Sequence, residues 1–96
     1  MTFRFTSAAL TELRIALIDY ERKEAGLGAR FLAEVDRTVA RVVAAPDAWR
    51  PLPPRTRQCL VHRFPFGVLY QIRTGEILVV SVMDLRRDPG SWRKYL

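Results

Sequence analysis

The side chains of this chain that could do chemistry are mostly arginines, together with one histidine and three tyrosines. Arg86 and Arg87 follow an apolar run near the carboxyl terminus, and Arg57 and Arg63 lie earlier in the same half. Guanidinium groups bind carboxylates and phosphates through paired hydrogen bonds. A site made of such groups could hold a phosphodiester and stabilise its developing charge without a metal ion.

Other catalytic chemistries lack the residues they need. With one cysteine and one histidine there is no zinc-binding pattern, and no glycine-rich phosphate loop follows a strand. Residues 51–96 contain only Glu76, Asp84 and Asp88 as acids, so paired carboxylates are missing there. His62 has no obvious nucleophile nearby in sequence, so we expect a partly buried structural histidine. No cofactor and no metal are expected.

The net charge of +6 is unevenly placed. Residues 1–50 hold eight Lys and Arg against seven Asp and Glu, whereas residues 51–96 hold eight against three. The basic half therefore predicts an acidic partner, either nucleic acid or an acidic protein segment, unless it is only a solvated basic surface.

The carboxyl-terminal residues have different expected roles. Trp92 is expected to close the core after the Asp-Pro-Gly turn. The residues predicted to face the partner are Arg57, Arg63, Arg86, Arg87, Arg93 and Tyr95.

The totals predict one small domain spanning residues 1–96, with an apolar content of 49% that suffices for a core. No apolar run is long enough to span a membrane, and the first residues do not resemble a signal peptide. The single cysteine, Cys59, suits a reducing cytoplasm and is interpreted as a small core residue. We therefore expect a cytoplasmic protein.

Hydrophobic periodicity predicts two helices after a short strand at residues 2–6. The first helix should run from Ala8 to Glu24, capped by Ser7 or Thr6 and ended by Gly26 as the C-prime residue. The second should run from Ala29 to Ala45. The first stripe comprises Leu10, Leu13, Leu17 and Tyr20, with Ala9 and Ala16 between them, and the second comprises Phe31, Val35, Val39 and Val42. This spacing indicates an antiparallel helical hairpin.

The rest of the chain predicts three strands. Residues 46–54 hold four prolines, so no regular element is expected there, although Trp49 and Leu52 should cap the core. Strands are predicted at 58–64, 68–73 and 76–83, with Thr74 and Gly75 as a hairpin turn. Alternation in the first of them places Arg63 away from the helices. The fold class is α+β, in the order β-α-α-β-β-β, with the hairpin packed on a small twisted antiparallel sheet.

Three segments in this order resemble the RelE/ParE superfamily of bacterial toxins. They are YERKEAGLGARFLAEV from residue 20, RFPFGVLY from residue 63 and ILVVSVMDLRRDPGSWR from residue 77. The resemblance implies the toxin of a type II toxin–antitoxin system, held by a cognate antitoxin whose carboxyl-terminal segment wraps it. Relatives either cleave mRNA on the ribosome, as RelE-like toxins do, or inhibit DNA gyrase, as ParE-like toxins do.

The pattern favours the ParE-like branch, which would make the chain a gyrase inhibitor and not an enzyme. Nuclease-type relatives carry a basic residue where this chain has Gly67, and often a histidine where it has Asp84. The alternative is a metal-independent, ribosome-dependent endoribonuclease, whose residues would be Arg57, His62, Arg63, Arg86 and Tyr95. A third hypothesis is a nucleic-acid-binding module without toxicity.

Overall fold

A computed structural model describes residues 1–87 of the chain. Strand β1 (Thr2–Phe5) precedes two helices, α1 (Ser7–Lys23) and α2 (Leu27–Ala44). Four strands follow, namely β2 (Arg50–Leu52), β3 (Thr56–Leu60), β4 (Phe66–Arg73) and β5 (Glu76–Asp84). The predicted α+β class is confirmed, and the two helices agree with the predicted ranges to within two residues at each end.

The five strands form one sheet in the order β1-β5-β4-β3-β2. Strands β2 to β5 are antiparallel neighbours, whereas β1 pairs with β5 in parallel. The parallel pair arises because the helical hairpin carries the chain from one edge of the sheet to the other, and the meander then returns to β1. The sheet is therefore mostly antiparallel, with β5 buried between two neighbours as the apolar run predicts.

The helical hairpin closes through polar contacts around a tight link. Thr6, not Ser7, caps α1, since its Oγ1 accepts a hydrogen bond from the Ala9 N–H at 3.1 Å. Gly26 adopts φ 87°, in the left-handed region that glycine tolerates, two residues after the C-cap Glu24. The Glu21 carboxylate accepts hydrogen bonds from the N–H groups of Gly26 and Gly28, which brings a negative charge to the amino terminus of α2.

The expectation that no regular element exists in residues 46–54 is wrong, because β2 forms there. Pro51 and Leu52 pair with Arg57 and Thr56 of β3. Proline lacks an N–H donor, but it is tolerated in β2 because this strand lies at the edge of the sheet. The peptide bond between Pro53 and Pro54 is cis, in the turn between β2 and β3.

The predicted strand 58–64 is also wrong at its carboxyl end, because β3 stops at Leu60. The Val61 N–H donates to the Phe66 carbonyl at 2.9 Å, and this bond closes a short loop. Alternation along a strand therefore ends before His62, whose side chain is exposed and not partly buried as predicted.

The core lies between the helices and one face of the sheet. All four predicted residues of the α2 stripe are buried, while α1 buries Ala9, Leu13, Ala16 and Tyr20 and leaves Leu10 and Leu17 partly exposed. Cys59 is buried, and Trp49 packs against the same cluster, as predicted. Leu52 packs on a second cluster formed by Leu69, Leu78, Val80 and Met83. No helix within residues 1–87 is long and apolar enough to cross a membrane.

Candidate functional site

A cleft of about 540 Å³ lies between α1 and the carboxyl end of β5. We call it the α1–β5 cleft. Its apolar lining comes from both elements and from the start of β4, and consists of Ala8, Ile15, Ala16, Phe66, Val82 and Met83. Its polar and charged lining consists of Thr11, Glu12, Asp19, Tyr20, Lys23, Asp84, Arg86 and Arg87. An apolar floor with a charged rim is the composition of a protein-binding groove.

Glu12 joins the two walls of this cleft. Its Oε1 accepts a hydrogen bond from the Ser81 hydroxyl at 2.9 Å and another from the Val82 N–H at 3.1 Å. The β4–β5 register shifts nearby, since Leu69 pairs with Ser81 but Tyr70 pairs with Val79. Glu12 thus satisfies a main-chain donor beside a β-bulge. Sequence reasoning did not identify this role of Glu12, because a bulge cannot be recognised in an uninterrupted apolar run.

Asp84 holds Arg86 at the mouth of the cleft. The Arg86 Nε and Nη2 donate to the two oxygens of the Asp84 carboxylate, each at 2.9 Å, and the Arg86 N–H donates to Oδ1 at 3.0 Å. Arg87 Nε lies 4.0 Å from Oδ2 of the same carboxylate. The hydrogen bonds from the Arg86 side chain are the main reason that the pKa of Asp84 lies below its ordinary value, although partial burial opposes them. Asp84 is therefore a carboxylate at neutral pH.

Four aromatic rings form a rigid base beneath this end of the cleft. The Tyr20 ring lies 5.1 Å from Phe31, 5.0 Å from Phe64 and 6.1 Å from Phe66, measured between centroids. The Phe31 ring also lies 4.9 Å from Phe66, edge to face. Burial in this cluster raises the pKa of Tyr20. Lys23 Nζ sits 5.3 Å from the centre of the Tyr20 ring, which adds a cation at the rim.

Arg63 lies at the same end of the sheet as Arg86. Its φ of 69° turns the chain out of the strand, and its Nε approaches the Oε2 of the buried Glu34 on α2 to 3.9 Å. The expectation that Arg63 points away from the helices is therefore wrong. The Leu85 N–H donates to the Pro65 carbonyl at 2.8 Å, which ties the loop of Arg63 to the segment of Arg86.

Arg57 does not extend this group. Its Nη1 donates to the Asp47 carbonyl at 3.1 Å and to the Trp49 carbonyl at 2.8 Å, in the loop before β2. Arg57 pairs with Tyr70 in the sheet, whereas Asp84 pairs with Phe66. Four residues along β4 correspond to about 13 Å. Of the predicted site residues, the structure brings Arg63, Arg86 and Arg87 to one end and leaves Arg57 apart.

The remaining predicted residues are placed as follows. His62 is exposed in the loop after β3. Trp92, Arg93 and Tyr95 lie outside the described residues. In the part of the chain that the structure describes, no three Cys, His, Asp or Glu side chains are grouped so that they could hold a metal ion.

A helical hairpin packed on a mostly antiparallel sheet is the fold that the resemblance implies, and the match to a family model confirms the resemblance. Residues 3–89 match the family model described as the ParE toxin of type II toxin-antitoxin system, parDE. The chain therefore belongs to the ParE toxin family of type II toxin–antitoxin systems.

Comparison with solved structures gives the same fold. A structure of the chromosomal ParDE TA system from P. aeruginosa superposes with a TM-score of 0.73 and 22% sequence identity, covering 88% of this chain and 96% of that chain. At this identity the likeness concerns the fold alone. A search of curated proteins found no significant match.

Proposed function

We propose that this ParE-family toxin acts by inhibiting DNA gyrase and is neutralised by a cognate antitoxin that occupies the α1–β5 cleft. The observation that carries the first part is the state of Asp84. A nuclease of the RelE type would need a proton donor after the last strand, where this chain has a carboxylate paired with Arg86. With its pKa lowered, Asp84 holds no proton to give to a leaving oxygen near neutral pH.

Two further positions argue against a nuclease site. At Gly67, an added Cβ would lie 3.2 Å from Cγ and Cδ of Gln58, so a basic side chain there would have to displace the Gln58 side chain. Arg57 donates hydrogen bonds to the carbonyl groups of Asp47 and Trp49, and it lies far from Arg86 along the sheet. Arg57 therefore stands apart from the other arginines of the hypothetical nuclease site, which supports contact with a protein over RNA cleavage.

The cleft has the features that an antitoxin segment would require. Ile15 is 52% exposed beside an apolar floor, and an amphipathic segment could bury it. Lys23, Arg86 and Arg87 stand at the rim, where acidic side chains of the partner would meet them. The P. aeruginosa relative comes from a toxin–antitoxin system named ParDE, which is consistent with a paired antitoxin here.

The test of the target is a supercoiling assay with purified, antitoxin-free protein, gyrase and relaxed plasmid. We expect loss of supercoiling or accumulation of cleaved DNA, with activity restored when the cognate antitoxin is added. Unaffected gyrase together with mRNA cleavage on translating ribosomes would reject gyrase as the target. Growth that continues normally during expression would reject the toxin itself in favour of a non-toxic binding module.

The test of the cleft uses two isoleucines of the same helix. Ile15 lines the cleft, whereas Ile18 is 47% exposed and does not line it. Ile15→Asp should weaken antitoxin binding at least about tenfold, since it places a charge in an apolar contact, and Ile18→Asp should leave it nearly unchanged. Equal effects of the two substitutions would exclude the cleft as the antitoxin-binding site.

The arginines at the rim are tested separately. The double variant Arg86→Ala with Arg87→Ala should weaken antitoxin binding or toxicity, and full retention of both would exclude these arginines as contacts.

A further inference from the structure

A second cationic region lies on the β2–β3 hairpin, which we define as residues 50–57. Residues 48–75 contain five arginines and neither aspartate nor glutamate. Three of the five, Arg50, Arg55 and Arg57, lie on the hairpin. Within residues 1–87 no ion pair reaches any of these three. The three guanidinium groups are therefore not paired with carboxylates, although the Asp47 carboxylate lies near enough to act on Tyr70 beside them.

A cleft of about 370 Å³ opens beside these arginines. We call it the hairpin cleft, and it shares no lining residue with the α1–β5 cleft. Ile72 is 41% exposed at its margin. Its lining combines guanidinium groups with apolar surface and consists of Pro51, Leu52, Pro53, Arg55, Thr56, Arg57, Tyr70 and Ile72.

Hydrogen bonds and the backbone conformation hold the arginines and Tyr70 in position beside the hairpin cleft. Arg57 is anchored by the Asp47 and Trp49 carbonyls, and the Tyr70 hydroxyl donates to the Pro46 carbonyl at 2.5 Å. Arg55 has φ 48°, a left-handed conformation that asparagine or glycine would adopt more readily. This turn thus holds an exposed guanidinium at the margin of the cleft.

We propose that the hairpin cleft binds an acidic segment of a partner protein that inserts an apolar side chain between its arginines. The three arginines, which no carboxylate pairs, attract an acidic segment, and the proline and aliphatic lining provides burial for the inserted side chain. A second copy of this chain is a poor occupant, because its net charge is +6. Single-stranded nucleic acid is also disfavoured, because the ring of Tyr70 is fully buried and cannot stack on a base.

The experiment measures fluorescence anisotropy with the full chain and two labelled probes. One is a peptide with a central leucine and phenylalanine flanked by glutamates, and the other is a single-stranded oligonucleotide of equal negative charge. We expect the peptide to bind more tightly than the oligonucleotide, with an affinity that falls as salt increases. Tighter binding of the oligonucleotide, or no binding of the peptide, would overturn the proposal.

Matched charge reversals locate the binding. Arg50→Glu with Arg55→Glu should weaken peptide binding at least about tenfold. Arg14→Glu with Arg22→Glu, at exposed positions on α1, changes the net charge equally and should alter binding less than about twofold. Equal weakening by both pairs would indicate a general attraction and would overturn the proposal.

A second set of variants separates loss of charge from loss of fold. Arg55→Asn suits the left-handed backbone and should unfold at the wild-type temperature while losing affinity for the peptide, whereas Arg55→Lys should retain most of it. Unchanged affinity in Arg55→Asn would exclude Arg55 as a contact. Because the same peptide would also suit the α1–β5 cleft, its binding is assigned to the hairpin cleft only if the substitutions at Arg50 and Arg55 weaken it. Neither gyrase nor antitoxin enters these measurements, so their failure would leave the function proposed above untouched.

Discussion

The two ends of the sheet use arginine in opposite ways. At the end of the sheet beside the α1–β5 cleft, Arg86 and Arg87 lie against Asp84, and Arg63 approaches Glu34. At the β2–β3 hairpin, by contrast, Arg57 is bonded to main-chain carbonyls, and no carboxylate within residues 1–87 pairs with Arg50 or Arg55. Carboxylates of the chain itself orient the first group, whereas the second group forms no ion pair within residues 1–87.

This difference shows that the number of cations does not describe a binding surface. A guanidinium held by a carboxylate has a defined orientation, but any partner must compete with that carboxylate. A guanidinium that only contacts carbonyl groups retains its net charge and attracts acids over a longer range. We therefore expect the α1–β5 cleft to recognise shape and apolar surface, and the hairpin to respond mainly to charge.

The largest loss of stability is expected when the cluster of four aromatic rings beside the α1–β5 cleft is disrupted. Phe31→Ala deletes a fully buried ring that contacts Tyr20, Phe64 and Phe66. It should lower the free energy of unfolding by about 3 to 5 kcal/mol. Chemical denaturation would measure the loss. The control is Phe3→Ala, because the Phe3 side chain is 51% exposed, and a loss as large in the control would show that the cleft end does not depend on this ring.

A smaller loss of stability is expected from a substitution beside the β2–β3 hairpin, where Tyr70 anchors the loop before β2. Tyr70→Phe removes the hydroxyl that donates to the Pro46 carbonyl at 2.5 Å. The free energy of unfolding should fall by about 0.5 to 1.5 kcal/mol. The same loop supplies the carbonyl groups that hold Arg57, so peptide binding at the hairpin cleft should weaken as well. A variant as stable as the wild type would show that the loop is held by other contacts.

The pH dependence of that variant provides an independent check. Burial raises the pKa of Tyr70 from 10.0 to about 12. The folded state then retains a proton that the unfolded state has lost, so this contribution to stability is complete below pH 10.0 and disappears as the pH approaches about 12. Denaturation over that range should show a steeper decline for the wild type than for Tyr70→Phe, and parallel curves would contradict the assignment.

The smallest effect on stability is expected from Asp84→Asn, which removes the carboxylate that distinguishes the cleft end. Both paired arginines are largely exposed, so the unfolding midpoint should shift less than in Tyr70→Phe. The pKa of Asp84 is lowered in the folded state, so its contribution is present above the ordinary value of 3.8 and is lost as the pH falls through the folded value.

The difference between wild type and Asp84→Asn should therefore disappear in acid. Thermal unfolding from neutral pH to below pH 3.8 would measure it. Asp36→Asn is a suitable control, because Asp36 is exposed and forms no ion pair within residues 1–87. A difference that stays constant across this pH range would show that the Asp84 ion pairs do not contribute to folding.

Sequence periodicity predicted the helices and the last two strands well. The stripe of α2 is buried at all four predicted positions, because a repeat near 3.6 residues places them on one side of a helix. The β4–β5 turn falls at Thr74 and Gly75, and Gly75 has the positive φ, 73°, that such a turn favours. These features depend only on neighbours along the chain.

The errors occurred where pairing partners override local signals. Prolines around Pro51 argued against a strand, yet an edge position tolerates them. Alternation suggested that β3 continues through Arg63, but a loop closed by the Val61–Phe66 hydrogen bond removes His62 and Arg63 from the strand. The bulge beside Glu12 likewise depends on the register between β4 and β5, which an apolar run does not specify.

By itself the sequence determined the order of every element except β2, the apolar face of α2, the basic carboxyl-terminal half and the resemblance to the ParE family. Only the tertiary structure decided which arginines meet carboxylates. Glu34 and Arg63 are joined because a loop turns back onto α2, while Arg57 is bonded to the loop before β2 and kept away from Arg86. The physical reason is that ion pairing depends on distance in space, and register and loop closure set that distance between residues far apart in sequence.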